Sequence, residues 1–140
     1  MSEYQTDGDF DLSADVLWAR IRDFGEVSWL PGNPTFHSEG EGPGMIRTID
    51  ASPIPTVREQ LDSIDDDERT IHYRVIEGLP MPVRDYSASM QVIDLGDGSS
   101  RLRWRGRFEP DAVSEEEAQS AVAGMYLSIL GVMKQNLEKR

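Results

Sequence analysis

Between residues 101 and 110 the chain reads RLRWRGRFEP, with Arg101, Arg103, Arg105 and Arg107 interleaved with Leu102, Trp104, Gly106 and Phe108. Successive side chains of a strand point to opposite faces, so this stretch predicts a strand with one cationic face and one apolar face. Such a strand belongs to an antiparallel sheet that is wet on one side and covered on the other. Gly106 stands in the covered row, where a missing side chain marks a bulge, a bend or room for another group. The same patterning predicts strands at roughly 56–65, 68–77 and 84–95. Two shorter strands flank the turn GEGPG at 40–44.

Helical spacing appears twice. Ser13 is placed to cap a first helix carrying Leu17, Ile21 and Phe24, and Pro31, Gly32 and Pro34 end that region. Ser114-Glu115-Glu116-Glu117 is a capping box that sets acids on the positive end of a helix. The helix it opens is expected over about 114–138, with Ala118, Ala121, Val122, Met125, Ile129 and Val132 on one face.

The turns then say something about the ends of the sheet. DDD at 65–67 and GDGSS at 96–100 are tight polar turns, and Asp97-Gly98 is a strong hairpin signal. DASPIP at 50–55 and EGLPMP at 77–82 are looser and carry Ile54, Leu79 and Met81. In an antiparallel meander successive turns alternate between the two ends. The tight turns therefore share one end, while the proline loops and the entry to the last helix share the other. An end ringed by apolar proline loops is the expected rim of a pocket.

Composition narrows the function. A chain of 140 residues that is 38% hydrophobic supports one domain, 1–140, with a real core. There is no long apolar run and no basic, apolar leader at the start, so no membrane span and a cytoplasmic protein are expected. The absence of cysteine removes disulfides and thiolate chemistry. The arginine row could suggest nucleic acid, but 26 acids outweigh 14 bases for a net charge of −12. Nucleic-acid binding needs an electropositive surface, so no nucleic-acid partner is expected. Asp62, Asp65, Asp66, Asp67 and Glu68 are the expected partners of the arginines across the outer face. GEGPG lacks the dinucleotide spacing, and no phosphate loop, nucleophile elbow or HExxH motif occurs, so no cofactor is expected. His37 and His72 have no third ligand nearby in the pattern, and no metal site is expected.

Glu59 is the sharpest candidate for chemistry. It shares strand parity with Val57 and Leu61, which turns a carboxylate toward the apolar side. Such a group is costly unless paired, hydrogen-bonded or protonated. It either serves a ligand, or acts as a general acid or base, or is a hydrated or salt-bridged structural group near the open end. Arg47 on the preceding strand is its possible partner. Met45 and Ile49 share its face while Ile46 and Thr48 compete for the other, and an outward surface arginine is the expectation. Phe36 should face inward and send His37 outward; His72 should face solvent. Tyr73, Tyr86 and Trp104 share parity with apolar neighbours and should form an aromatic wall beneath Met125 and Ile129 of the helix. Trp29, beside the Pro-Gly break, is either an anchor of the first helix or part of the mouth.

These elements in this order resemble the START-like, or Bet v 1-like, superfamily, and within it the polyketide cyclase/dehydrase branch. The resemblance runs through SADVLWARIRDFGEVSWLPG, EGEGPGMIRTI, VREQLDSIDDDERTIHYRVIEGLPMPVRDY and RLRWRGRFEP, nearly the whole chain. It implies an α+β helix-grip fold: a curved seven-stranded antiparallel sheet around a long C-terminal helix, two short helices after the first strand, and a hydrophobic cavity between sheet and helix. Members bind lipids, steroids, polyketides or hormones, and some are cofactor-free cyclases. EQLDSIDDDERTIHYRVI also resembles plant abscisic acid receptors, which carry a ligand-binding glutamate at the place of Glu59 and a ligand-binding lysine at that of His37. The receptors' gate sequence is replaced here by DASPI.

The expected function is binding of a small hydrophobic molecule, with Glu59, Tyr73, Tyr86, Trp104, Met125, Ile129, Trp29 and Arg47 as candidate site residues. The alternative is a cofactor-free cyclase or dehydratase acting on a polyketide-like substrate, with Glu59 or a tyrosine moving protons. A protein-interaction domain with a filled core is a third reading. A monomer or dimer is expected.

Overall fold

Seven strands and two helices follow one another as β1 (Ser2–Phe10), α1 (Ala14–Arg22), β2 (Thr35–Glu39), β3 (Ile46–Asp50), β4 (Val57–Asp65), β5 (Thr70–Glu77), β6 (Val83–Asp94), β7 (Ser100–Pro110) and α2 (Glu115–Leu137). The computed structural model describes residues 2–29, 35–50, 55–79 and 81–138. The strands form one curved antiparallel sheet in the order β1-β7-β6-β5-β4-β3-β2. The long helix α2 packs on β1 and β7, and α1 on β5, β6 and β7. This is the helix-grip arrangement.

Both helix starts form as the capping residues require. Ser13 accepts from Val16 N at 3.2 Å and Ser114 from Glu117 N at 3.1 Å. One short helix, rather than two, follows β1 among the described residues. Phe24 lies beyond its end, buried in a turn. Residues 30–34, with the breakers Pro31, Gly32 and Pro34, lie outside the described residues.

The arginine row of β7 is on the outer face, but its partners differ from those expected. They come from β1, whose own alternation SEYQTDGDF sets Glu3, Asp7 and Asp9 outward in register with β7. Arg101 forks onto Asp9 (Nε to Oδ1, 2.7 Å), and Arg103 onto Asp7 (3.0 Å). Arg107 lies 3.5 Å from Glu3. Arg105 donates to the neutral Gln5 instead. Of the acids at 62–68, Asp62 faces Arg74 and Asp66 binds Arg22 and Trp18. Pairing β7 with the first strand is a long-range event that local spacing does not announce.

The end of the sheet away from the tight turns is knit together by its loops. Gly78 (φ +82°) runs so close to the Thr56 carbonyl that no Cβ would fit there. Asp111 N donates to Pro82 O at 2.9 Å, joining the entry of α2 to the β5–β6 loop. Leu79 and Met81 are half-buried against the core. Ile54 lies outside the described residues.

Candidate functional site

The inner face of the sheet carries an aromatic cluster built on β5, β6, β7 and α2. Trp104 stacks on Tyr126, with ring centroids 3.8 Å apart and planes 7° from parallel. Trp104 Nε1 donates to Tyr73 Oη at 3.1 Å, and the hydroxyls of Tyr86 and Tyr126 are hydrogen-bonded to each other. All four side chains are buried. Gly106 is explained by this cluster: a Cβ there would overlap the Tyr126 hydroxyl and stand 3.3 Å from Tyr86 Cε2. The space left by the glycine is filled by the helix.

Tyr126 is the residue the patterning overlooked. The buried stripe of α2 is Ala118, Val122, Tyr126, Leu130, Met133 and Leu137; of the expected face Ala118 and Val122 lie on it, whereas Ala121, Met125, Ile129 and Val132 are half-buried beside it. The signal was available in the i, i+4 recurrence of 118, 122, 126 and 130. The many small residues of α2 make its apolar sector broad and its centre hard to locate from the sequence. Gln119 Nε2 donates to Glu3 O at 3.2 Å and Lys134 Nζ to Asp9 O at 2.7 Å, which ties one flank of the helix to β1. At 3.6 residues per turn, Met125 and Ile129 fall on the opposite flank, away from β1. Both are half-buried.

The inner face of those far strands holds Phe36, Arg47, Ile49, Val57, Glu59 and Leu61, aligned by the pairs Phe36–Ile49, Arg47–Glu59 and Ile49–Val57. Arg47 points inward, against the expectation of a surface arginine. Its alternation was ambiguous, and the cross-strand pair with Glu59 decides it. Arg47 Nε donates to Glu59 Oε1 at 2.7 Å and Nη1 to the Phe24 carbonyl at 3.0 Å. The guanidinium lies 3.8 Å over the Phe24 ring and 5.4 Å from that of Tyr73. Glu59 is thus half of an ion pair rather than a lone carboxylate. Its side chain keeps 13% exposure against 7% for Arg47.

The remaining candidates lie elsewhere. His37 is exposed, 4.0 Å from Glu39, and His72 is also exposed. Trp29 is buried, but its carbonyl accepts from Asn136 Nδ2 at 2.9 Å. Asn136 is ten residues beyond Tyr126, about 15 Å along the helix. That position makes Trp29 an anchor of the α1–β2 connection on the last turns of α2, not a member of the aromatic cluster.

Burial governs the chemistry of the phenols. Desolvation, reinforced by the Glu59 charge, pushes Tyr73 well above the ordinary phenol range. Desolvation, with Tyr73 and Tyr126 nearby, does the same for Tyr86. Tyr126 is also raised by burial, although its bond to Tyr86 opposes the shift. All three remain protonated around neutrality and act as hydrogen-bonding groups, not as bases.

The family described as polyketide cyclase/dehydrase and lipid transport matches residues 1–138. An uncharacterized protein from Bacillus thuringiensis is 26% identical with a TM-score of 0.84, over 97% of this chain and 98% of that one. XoxI from Bacillus cereus is 26% identical with a TM-score of 0.81, over 99% and 97%. An aromatase/cyclase from Streptomyces shares the fold at 18% identity and a TM-score of 0.79, over 99% and 94%. No curated protein sequence matches the chain. With an inward aromatic cluster under a long helix and a family match over nearly its full length, the chain belongs to the polyketide cyclase/dehydrase and lipid transport family.

Proposed function

We propose that the protein binds a small, largely hydrophobic molecule between the inner face of β2–β5 and the Met125–Ile129 flank of α2. One observation carries this reading. Apolar side chains on the concave side of the sheet and on the helix flank facing it, namely Phe36, Ile49, Val75, Met125 and Ile129, are only half-buried, whereas those under the helix stripe are fully buried. Half-burial of facing apolar surfaces is what a space between them produces, and apolar walls with a few placed polar groups are the usual form of a ligand site. Glu59, Arg47 and the Tyr73 hydroxyl supply the polar groups. Leu79 and Met81 supply the rim.

Binding is favoured over catalysis by the state of the polar groups. The phenols are held protonated and are not bases, and Glu59 is engaged through Oε1 in an ion pair with Arg47. A cyclase or dehydratase would need a freer base.

Titration with the neutral fluorescent probe Nile red tests the reading. Saturable binding of the probe is expected. Native mass spectrometry of the purified protein should show a co-purified small molecule displaced by the probe. A linear, non-saturating probe signal removes the proposal.

A further inference from the structure

Arg47 is a buried cation on the wall of the proposed pocket. By itself, a guanidinium in such a place selects carboxylates or phosphates, which it binds through two parallel hydrogen bonds. Here that capacity is already committed. Glu59 Oε1 lies 2.7 Å from Arg47 Nε, the Phe24 carbonyl accepts from Nη1, and the Phe24 ring covers the guanidinium at 3.8 Å. Neither Arg47 Nη2 nor Glu59 Oε2 has a hydrogen-bond partner among the described residues. The pair therefore presents a donor and an acceptor but no net charge.

The consequences differ for charged and uncharged ligands. A ligand carboxylate at Arg47 would make two anions share one cation in a poorly solvated place. A ligand ammonium at Glu59 would make two cations share one anion. Each leaves an uncompensated buried charge, the costly arrangement for a protein interior. A hydroxyl or carbonyl can accept from Nη2 or donate to Oε2 without disturbing the balance. The protonated phenol of Tyr73, beside the pair, is likewise suited to a neutral group.

We propose that the Arg47–Glu59 pair makes the pocket selective for uncharged molecules bearing a hydroxyl or carbonyl, and that it rejects carboxylates and amines of the same apolar size. This rests on the pocket reading above. The protein's charge of −12 also disfavours anions, but it acts at long range, is screened by salt, and would attract amines.

Displacement of bound Nile red by decanol, decanoate and decylamine near neutral pH tests the selectivity. Decanol should displace the probe at a concentration about tenfold or more below either charged analogue. That ratio should survive about 0.5 M salt, which screens distant charges but not a buried pair. Glu59→Gln frees the charge of Arg47 and should improve decanoate by about tenfold while leaving decylamine weak. If Glu59→Gln does not fold, the wild-type ratio and its persistence in salt decide the question. Equal displacement by decanoate and decanol overturns the proposal, as does a preference that disappears in salt or a folded Glu59→Gln that still rejects decanoate. Absence of Nile red binding is a different result, since it removes the pocket itself.

Discussion

Tyr126 of α2 lies flat against Trp104 of β7, its ring centroid 3.8 Å away, and its hydroxyl occupies the place where residue 106 would have a side chain. A glycine on the strand and a tyrosine on the helix thus form one packing unit, with the Tyr86 hydroxyl as its polar partner. The helix is held close to β7 here, and the ligand space proposed above lies to the other side, toward β2–β4.

Gly106→Ala should destabilise the protein by about 1–3 kcal/mol, because the new methyl group meets the Tyr126 hydroxyl in a packed interior. Tyr126→Phe removes that hydroxyl, so the double variant should lose less than the sum of the two single losses. Urea denaturation of the four proteins measures the coupling. Strict additivity would mean that the helix shifts freely around residue 106.

The buried phenols predict the behaviour in alkali. Tyr73, Tyr86 and Tyr126 have folded-state pKa values raised above those of the unfolded chain. Their contribution is therefore complete below the unfolded value of about 10 and is lost as pH rises beyond it. The tyrosinate absorbance of these three groups should rise only together with loss of the circular dichroism signal. Ionisation of all the tyrosines with secondary structure intact would show that the cluster is open to solvent.

Arg47→Met should cost about 3–5 kcal/mol, since it strands the Glu59 carboxylate on an apolar wall. Adding Glu59→Leu should recover much of that loss by removing the orphaned charge. Denaturation midpoints of the single and double variants test this. A double variant no better than Arg47→Met would assign the loss to the contact of Arg47 with Phe24 instead.

Asp66 predicts an acid effect of the opposite sign. Its carboxyl is held below the usual range by hydrogen bonds from Arg22 first and Trp18 second. A depressed folded value stabilises above the unfolded pKa of about 3.9 and is lost as pH falls through the folded one. Asp66→Asn should therefore be less stable than wild type at neutral pH, with the gap closing below about pH 4. A gap that is the same at both would mean that the side chain matters for shape and not for charge.

Much of the fold was legible because its signals are local. The strict alternation of 101–110, the Asp97-Gly98 turn and the Ser114 N-cap each concern residues within a few positions of one another, and each forms where the patterning put it. The inward direction of Tyr73, Tyr86 and Trp104 follows from the same period of two. Local geometry dictates these features whatever the rest of the chain does.

Other features waited for tertiary structure because distant segments decide them. Both parities of β3 carry apolar residues, so alternation could not orient Arg47; the pairing with Glu59 and the Phe24 carbonyl from the turn after α1 did. Arg101 and Arg103 of β7 found their carboxylates on β1, 92 and 96 positions away in sequence. The broad apolar sector of α2 allowed several buried faces, and the ties of Gln119 and Lys134 to β1 selected the one that brings Tyr126 under Gly106. The sequence by itself determined which faces were apolar, since that depends on the period of the backbone. Which apolar face meets which partner depends on how strands far apart in the chain align, and only the assembled sheet decides it.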